Sequence, residues 1–190
     1  MLGLAEIINH TRGVLRLLRF DPAGAAYFDN TLEAFWRSFR VLILIAPAYI
    51  LIRVIDYQNV TTPADGAEIV LLEALEYVVQ AFLFPVVMYE VARLADLQRN
   101  YLRYIAALNW INVPWIAIAF VVIVIWTWLP MFRTGFAIGQ ELLYFIWFYS
   151  TTRLVLGASW GLTVGLFLFD RTASLLLGLF LQRALEIVPT

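Results

Sequence analysis

Five apolar segments alternate with short polar segments along this chain. The clearest runs from Ile105 to Leu129 and contains no charged side chain. As an α-helix, which rises about 1.5 Å per residue, it would reach ~37 Å, enough to cross the ~30 Å hydrocarbon core of a bilayer. Tryptophan side chains lie toward both of its ends, where amphipathic rings favour the headgroup level. We therefore predict a membrane-spanning helix, which makes lipid the solvent for the rest of the chain.

The other apolar segments extend this prediction to an all-α fold, a polytopic membrane helical bundle of about five transmembrane helices. The predicted spans are residues 33–55, 68–94, 105–129, 136–156 and 159–181. Asn30, with Glu33 three positions later, predicts a capping box that opens the first span. Asp170 and Arg171 interrupt the fifth segment, which is either one helix or two half-helices. No hydrophilic run is long enough for a soluble domain, so we predict that residues 1–190 form a single membrane domain.

Residues 1–20 predict an amphipathic interfacial helix that precedes the spans. Its apolar side chains recur at helical spacing: Leu4, Ile7, Ile8, Val14, Leu15 and Leu18. Arg12, Arg16 and Arg19 lie among the polar residues of the opposite side. Such a helix either lies in the interface with its arginines toward anionic lipid, or packs its apolar face on the protein's own helices. Both arrangements can hold at once.

Composition agrees with a membrane protein. The chain is 63% hydrophobic with a mean hydropathy of +0.82. Its charged fraction of 14% is well below the ~25% of ordinary soluble domains. The net charge of −1 gives no reason to expect a nucleic-acid partner. The absence of cysteine excludes disulfides, thiolate metal sites and thiol catalysis. We predict no cofactor and, with one histidine, no metal site.

The placement of the arginines predicts how the chain is oriented. With a cytoplasmic N-terminus, nine arginines lie in the inner segments and three lie in the outer ones, namely Arg53, Arg133 and Arg183. By the positive-inside rule this difference favours the N-terminus in the cytoplasm and the C-terminus outside, which requires an odd number of spans. We expect an integral protein of the bacterial inner (plasma) membrane. Its expected partners are the lipid bilayer, a second copy of the chain or other membrane subunits.

Residues 157–161 match two patterns. The first is G-x-S-x-G, the serine nucleophile elbow, which needs a strand-to-helix turn and a histidine base. The flanks here are apolar, and the single histidine, His10, lies in the amphipathic segment. The second pattern is Gly157, Gly161 and Gly165, spaced four residues apart. On a helix these glycines form one stripe for close packing, against another helix of this chain or against a second copy.

Charged side chains within the predicted spans are the main functional lead, because each is costly in lipid and must face protein or water. Glu73, Glu76 and Gln80 are three and four residues apart and therefore share one helix face. We hypothesise one polar cluster in the outer half of the bundle, which lines a cavity or a proton path: Glu73, Glu76, Gln80, Gln140, Glu141, Asp170, Arg171 and Arg53. The alternative is that Glu73 and Glu76 lie above the membrane and the other charges form structural ion pairs between helices.

Near the inner face, Glu90 and Arg153 are predicted to pair. The chain offers no nucleophile–base set, so we expect no enzyme. The leading functional hypothesis is a small non-enzymatic integral membrane protein, a scaffold or accessory subunit that acts through helix packing and lipid contact. The alternative hypothesis is a small-solute or proton permeation unit that uses the intramembrane carboxylates.

Overall fold

The computed structural model describes residues 3–58 and 60–189. Within these residues the fold consists of seven α-helices: α1 (Leu4–Leu18), α2 (Leu32–Ser38), α3 (Arg40–Tyr57), α4 (Gly66–Leu94), α5 (Tyr101–Trp128), α6 (Arg133–Thr151) and α7 (Trp160–Ala184). Two short strands, β1 (Val60–Thr61) and β2 (Val188–Pro189), pair antiparallel. The predicted all-α class is confirmed.

Four helical segments in the described part of the chain are long and apolar enough to span a membrane: Leu32–Tyr57, Gly66–Leu94, Gln98–Trp126 and Trp160–Ala184. They correspond to the first, second, third and fifth predicted spans. The fourth predicted span forms α6 and the π-helical turn Thr152–Leu156 that follows it. Helix α7 continues without a break through Asp170 and Arg171, so the alternative of two half-helices is wrong.

The five long helices form a ring. Helix α3 packs on α5, α5 on α6, α6 on α7, and α7 on α4. Helix α4 returns to α3 through the Tyr77 hydroxyl, which donates to the Leu42 carbonyl at 2.7 Å. The ring of Phe39, the residue that precedes α3, also stacks on that of Phe82 in α4, with centroids 5.0 Å apart. The ring of helices therefore encloses a central space to which each of the five contributes side chains.

The two ends of the ring are closed by different elements. At one end, the strand end, β1 follows α3 and pairs with β2, which follows α7. There the Thr62 hydroxyl donates to the Leu185 carbonyl. At the other end, the α1 end, His10 stacks on Trp110 of α5 with ring centroids 4.4 Å apart. The start of the helical bundle and its last strand therefore lie at opposite ends.

Helix α1 is held against the bundle and against the segment that follows it. After α1, Asp21 caps a short 3-10 helix, Pro22–Tyr27, by accepting from the amide of Ala23 at 2.9 Å. This 3-10 helix lies so close to α1 that a Cβ on Gly24 would come within 2.8 Å of the Gly13 carbonyl. The contact therefore requires glycine at position 24. Packing on the protein's own helices, one of the two predicted arrangements of this segment, is present.

The predicted capping box at Asn30 is wrong by one residue. Helix α2 is capped by Thr31, whose hydroxyl accepts from the amide of Ala34 at 3.1 Å. The Asn30 side chain instead joins the start of the chain to α5, because its oxygen accepts from the amide of Arg103 at 3.1 Å. Asparagine and threonine are both favoured N-cap residues, so local sequence preference alone does not distinguish Asn30 from Thr31.

The indole of Trp147 connects α6 to α1. This side chain is fully buried, and its Nε1 donates to the Val14 carbonyl at 2.7 Å. We expect Trp147→Phe to lower the free energy of unfolding by about 1–2 kcal/mol, because it removes a buried hydrogen bond that joins α6 to α1. Titration with sodium dodecyl sulfate in mixed micelles, followed by far-UV circular dichroism, measures the loss. Trp160→Phe is the control, since Trp160 is exposed, and an equal loss in both variants would contradict the role of this bond.

Candidate functional site

A cavity of about 330 Å³ lies inside the ring of helices. Each of the five long helices contributes to its wall. The aromatic part of the wall is Tyr49, Tyr77, Phe84, Trp115, Tyr144 and Phe148. The polar part is Gln80, Asn109, Asn112, Asp170, Arg171 and Ser174. These residues lie near the middle of their helices, so the cavity is a polar space at half the height of the bundle.

The charged side of the cavity is built by α6 and α7. The Asp170 carboxylate accepts from Arg171 Nη2 at 2.8 Å and from the Tyr144 hydroxyl at 3.2 Å. The Arg171 guanidinium lies over the Tyr144 ring, 4.2 Å from its centroid, which is a cation–π arrangement. Glu141 lies 3.7 Å from Arg171 Nη1. Aspartate, arginine and tyrosine thus satisfy one another in a compact group that we call the Asp170 network.

The turn between α6 and α7 places this network. After the π-helical turn, Gly157 adopts a left-handed conformation with φ of 83°, which favours glycine because other residues carry a Cβ there. Ser159 then caps α7, its hydroxyl accepting from the amide of Leu162 at 3.3 Å. The tight turn sends α7 back along α6, which brings Asp170 opposite Tyr144. Arg153 supports the turn by donating to the Ala158 carbonyl at 2.5 Å.

Helix α5, which lies next to α6, contributes two asparagines to the cavity wall. Asn109 is buried and donates to the Ser38 hydroxyl at 2.9 Å, which joins α5 to α2 toward the α1 end. Ser38 in turn donates to the Phe35 carbonyl at 2.6 Å. The Asn112 amide donates weakly to the Asn109 carbonyl at 3.3 Å, within its own helix. Of the two asparagines, Asn112 therefore has more hydrogen-bonding capacity left for a molecule in the cavity.

A second group of charges lies between α3 and α4, toward the strand end. Arg53 binds the Glu73 carboxylate through Nε at 3.0 Å and through Nη2 at 2.5 Å. The Tyr57 hydroxyl donates to the same carboxylate at 2.9 Å, and Asp56 accepts from Arg53 at 3.3 Å. We call this group the Arg53 network. Two-pronged arginine–carboxylate binding fixes the relative position of the two helices as well as neutralising the charges.

The predicted polar cluster does not form as one group. Arg53 and Glu73 lie in the Arg53 network, whereas Asp170, Arg171 and Glu141 lie around the Asp170 network. Glu76 accepts from Gln80 at 3.0 Å along α4, and Gln80 connects this pair to the cavity wall. Gln140 is half-buried on α6 and joins neither network among the described contacts. Ion pairs between helices, the alternative hypothesis, join Arg53 to Glu73 and Arg171 to Glu141, which are four of the eight predicted residues.

The predicted pair of Glu90 and Arg153 is wrong. Glu90 accepts from Arg93 at 2.6 Å, one helical turn along α4. Arg153 bonds to the backbone of its own turn, as described above. Glu90 pairs with Arg93 because pairing with an i, i+3 neighbour restricts the side chains less than pairing with a residue on a distant helix.

The predicted glycine stripe is wrong at one of its members. Gly157 lies outside α7, in the turn before it. Gly161 and Gly165 are exposed on α7, and a Cβ on either would meet no described atom within 4 Å. Within the described residues the two glycines therefore pack on no other helix, and the packing prediction stays open for a partner outside the chain.

Several cavity residues lie outside the predicted polar cluster. Tyr144 is three residues beyond Glu141, so the spacing places both on one helix face and predicts that they lie together. Ser174 is four residues beyond Asp170 and shares its face in the same way. Tyr49 and Tyr77, whose rings lie 4.8 Å apart, had no such signal, because their contact depends on how α3 and α4 pack.

The remaining chemical candidates are engaged in structural contacts. Ser159 of the G-x-S-x-G pattern is the cap of α7, and His10 stacks on Trp110 at the α1 end. Among the described residues, no three histidine or acidic side chains come close enough to hold a metal ion. The polar cavity is therefore the part of the described molecule best suited to hold a ligand.

Comparison of the chain with known protein families, with curated proteins and with solved structures finds no match in any of the three.

Proposed function

We propose that this is an integral membrane protein whose five long helices cross the bilayer, and that it passes a small uncharged polar solute through the central cavity without covalent chemistry. The observation that carries this proposal is the polar cavity to which all five helices contribute. The proposal develops the permeation alternative, whose intramembrane carboxylates are Glu73, Glu76 and Asp170, and assigns the solute path to the Asp170 network alone.

The outer surface of the bundle supports the membrane position. Large apolar side chains stand exposed on the outward faces of the long helices, for example Ile43, Val70, Val121, Leu142 and Leu175. Contiguous apolar surface of this extent is unfavourable in water and favourable in lipid. Helix α6 completes the ring between α5 and α7, so we propose it as a fifth crossing.

Five crossings place the two ends of the chain on opposite sides of the membrane. This agrees with the opposite positions of α1 and β2 in the bundle. The distribution of arginines favours the α1 end in the cytoplasm. We propose on this basis that the C-terminus lies outside, in a bacterial inner membrane.

The wall of the cavity favours a solute without net charge. Asp170 and Arg171 are the charged residues that line it, and they neutralise each other. Amide, hydroxyl and phenol groups supply hydrogen bonds from several sides, as in small-molecule sites of ~300–1,000 Å³. Polar sites at mid-membrane, between helices, are where transporters hold their substrates.

Osmotic swelling of liposomes tests the proposal. Liposomes that contain the purified protein should admit glycerol or urea faster than protein-free liposomes, as measured by stopped-flow light scattering. Ser174→Trp should return the rate to the protein-free value, because the indole would fill the cavity. Leu175→Trp is the matched control, since Leu175 faces outward.

Two results would contradict the proposed function. One is swelling no faster than that of protein-free liposomes with either solute. The other is swelling that Ser174→Trp and Leu175→Trp reduce equally. A pyranine-detected proton flux without solute entry would contradict the uncharged class of solute and favour a proton path instead.

A second proposal keeps the scaffold or accessory-subunit hypothesis. It is favoured by Gly161 and Gly165, which are exposed and open to a close approach by another helix. In lipid, small residues let helix backbones approach, and dispersion contact then stabilises association. The partner is a second copy of the chain or another membrane subunit.

Gly161→Ile tests this second proposal. The branched side chain would separate the helices, so we expect a smaller particle by light scattering after size-exclusion chromatography in mild detergent. Gly139→Ile is the control, because Gly139 is also exposed with open space around it but lies on α6. A wild-type particle with the mass of one chain and no stoichiometric partner would contradict the proposal.

A further inference from the structure

Helix α1 uses one side to dock on the bundle. Gly13, Val14 and Leu17 are buried there, and the Trp147 indole binds the Val14 carbonyl. Glu6, the single acidic residue of α1, also lies on this side and contacts Arg37 Nε at 3.1 Å. The buried residues of α1 and its one acidic side chain therefore all lie on the docked side.

The opposite side of α1 is divided into two parallel stripes. Leu4, Ile8 and Leu15 form an exposed apolar stripe, and the exposed fraction of Leu4 is 73%. At 100° per residue, positions 12, 16 and 19 fall beside this stripe, and all three are arginine. Apolar and basic stripes on one solvent-exposed face are typical of a helix that lies in a membrane interface.

The arginines of the basic stripe are weakly paired with acidic side chains of the described chain. Arg16 lies 3.8 Å from Asp21, a long contact between two half-exposed side chains. Arg12 and Arg19 make no ion pair within the described part of the chain and are exposed. An arginine guanidinium binds phosphate oxygens through two parallel hydrogen bonds, so these side chains suit phosphate headgroups.

We infer that the exposed face of α1 is a docking site for an anionic phospholipid surface. The Leu4, Ile8 and Leu15 stripe lies among the upper acyl carbons, and Arg12, Arg16 and Arg19 bind headgroup phosphates. This inference rests on the proposed position of the bundle in a membrane. It goes beyond the proposed function, since it assigns a lipid partner to a surface that lies outside the cavity.

A fluorescent label on the apolar stripe tests the inference. The chain has no cysteine, so Ile8→Cys takes a single environment-sensitive dye in the full-length protein. In nanodiscs of phosphatidylcholine with phosphatidylglycerol, the emission should move to shorter wavelength than in phosphatidylcholine alone. With Arg12→Gln and Arg19→Gln added, this difference should fall at least about threefold, because the electrostatic attraction to anionic lipid is removed. Added salt should reduce it in the same direction.

The matched control is Arg133→Gln with Arg183→Gln, which removes two arginines at the strand end and should leave the difference unchanged. The lipid site would be overturned, with the proposed function unaffected, if the Arg12→Gln, Arg19→Gln variant showed the same wavelength difference between the two nanodisc compositions as the protein with both arginines. Near-UV circular dichroism of this variant checks that the environment of Trp147 is intact. A protein that does not enter nanodiscs at all would overturn the proposed membrane position and this inference together.

Discussion

Replacing Glu73 by glutamine is expected to lower the free energy of unfolding by about 2 kcal/mol, because it removes the partner of Arg53 inside the bundle. The Glu73 side chain is 12% exposed, and that of Arg53 is 29% exposed. Breaking a fully buried pair costs ~3–5 kcal/mol, and the partial exposure of Arg53 reduces the expected loss. The variant leaves Arg53 with Asp56 as its remaining acidic partner at 3.3 Å.

Unfolding in mixed micelles with increasing sodium dodecyl sulfate measures this loss. Glu90→Gln is a matched control on the same helix, since it also breaks a glutamate–arginine pair. Because Glu90 and Arg93 are both exposed, the control should cost less than about 0.5 kcal/mol. Similar losses in the two variants would show that the Arg53 network does not stabilise the contact between α3 and α4.

Replacing Asp170 by asparagine is expected to have the second large effect, on both stability and solute passage. The Asp170 side chain is 15% exposed and serves both Arg171 and Tyr144. Without it, Arg171 retains the 3.7 Å contact with Glu141. We expect the free energy of unfolding to fall by about 2 kcal/mol, since a cation is left poorly paired in the bundle. Solute entry into liposomes should fall to the protein-free rate, because the free guanidinium gives the cavity a net positive charge.

The double variant Asp170→Asn with Arg171→Gln separates these causes. If the unpaired arginine is responsible, removing it should recover part of the stability, and the two substitutions should not be additive. Glu141→Gln is the control, since Glu141 is mostly exposed and lies outside the cavity wall. A double variant less stable than Asp170→Asn would contradict the role of the ion pair.

The helices were the most predictable part of this protein. An apolar run that is long enough to cross lipid has few other solutions, so the positions of α3, α4, α5 and α7 follow from hydropathy alone. Their ends differ from the predicted bounds by up to four residues, except that the first predicted span is divided into α2 and α3 at Phe39. Helix α6 is not among the four segments that are long and apolar enough to span a membrane, because its polar residues reduce its apolar character. Its proposed crossing depends on its place between α5 and α7.

The partners of the charged side chains were much less predictable. Glu73, Glu76 and Glu141 were grouped because they lie at similar heights in a linear topology. Height does not determine which helices are neighbours, and Arg53 reaches Glu73 because α3 and α4 are adjacent. Conversely, the pair of Glu90 and Arg93 was readable from its i, i+3 spacing alone.

The cavity could be predicted only in part: Gln80, Asp170 and Arg171 of its wall belong to the predicted cluster. Its aromatic wall, which includes Trp115 and Tyr144, has the same composition as a belt of lipid-facing rings. Only the packing of the helices distinguishes a ring that faces inward from one that faces lipid. The glycine pattern shows the same limit, because Gly157 matches a helical spacing while lying in the turn that redirects the chain.

The central claim is that the long helices surround a water-accessible cavity within a membrane. Because the chain contains no cysteine, single cysteines at neighbouring positions of α7 test it directly in liposomes. The cysteine thiolate attacks a methanethiosulfonate reagent, forming a mixed disulfide and releasing methanesulfinate, and this thiolate forms in water and not in lipid. Ser174→Cys, in the cavity wall, should be modified rapidly, and Leu175→Cys, on the outward face, should be nearly inert. Equal modification of the two cysteines, or rapid modification of Leu175→Cys alone, would contradict the account.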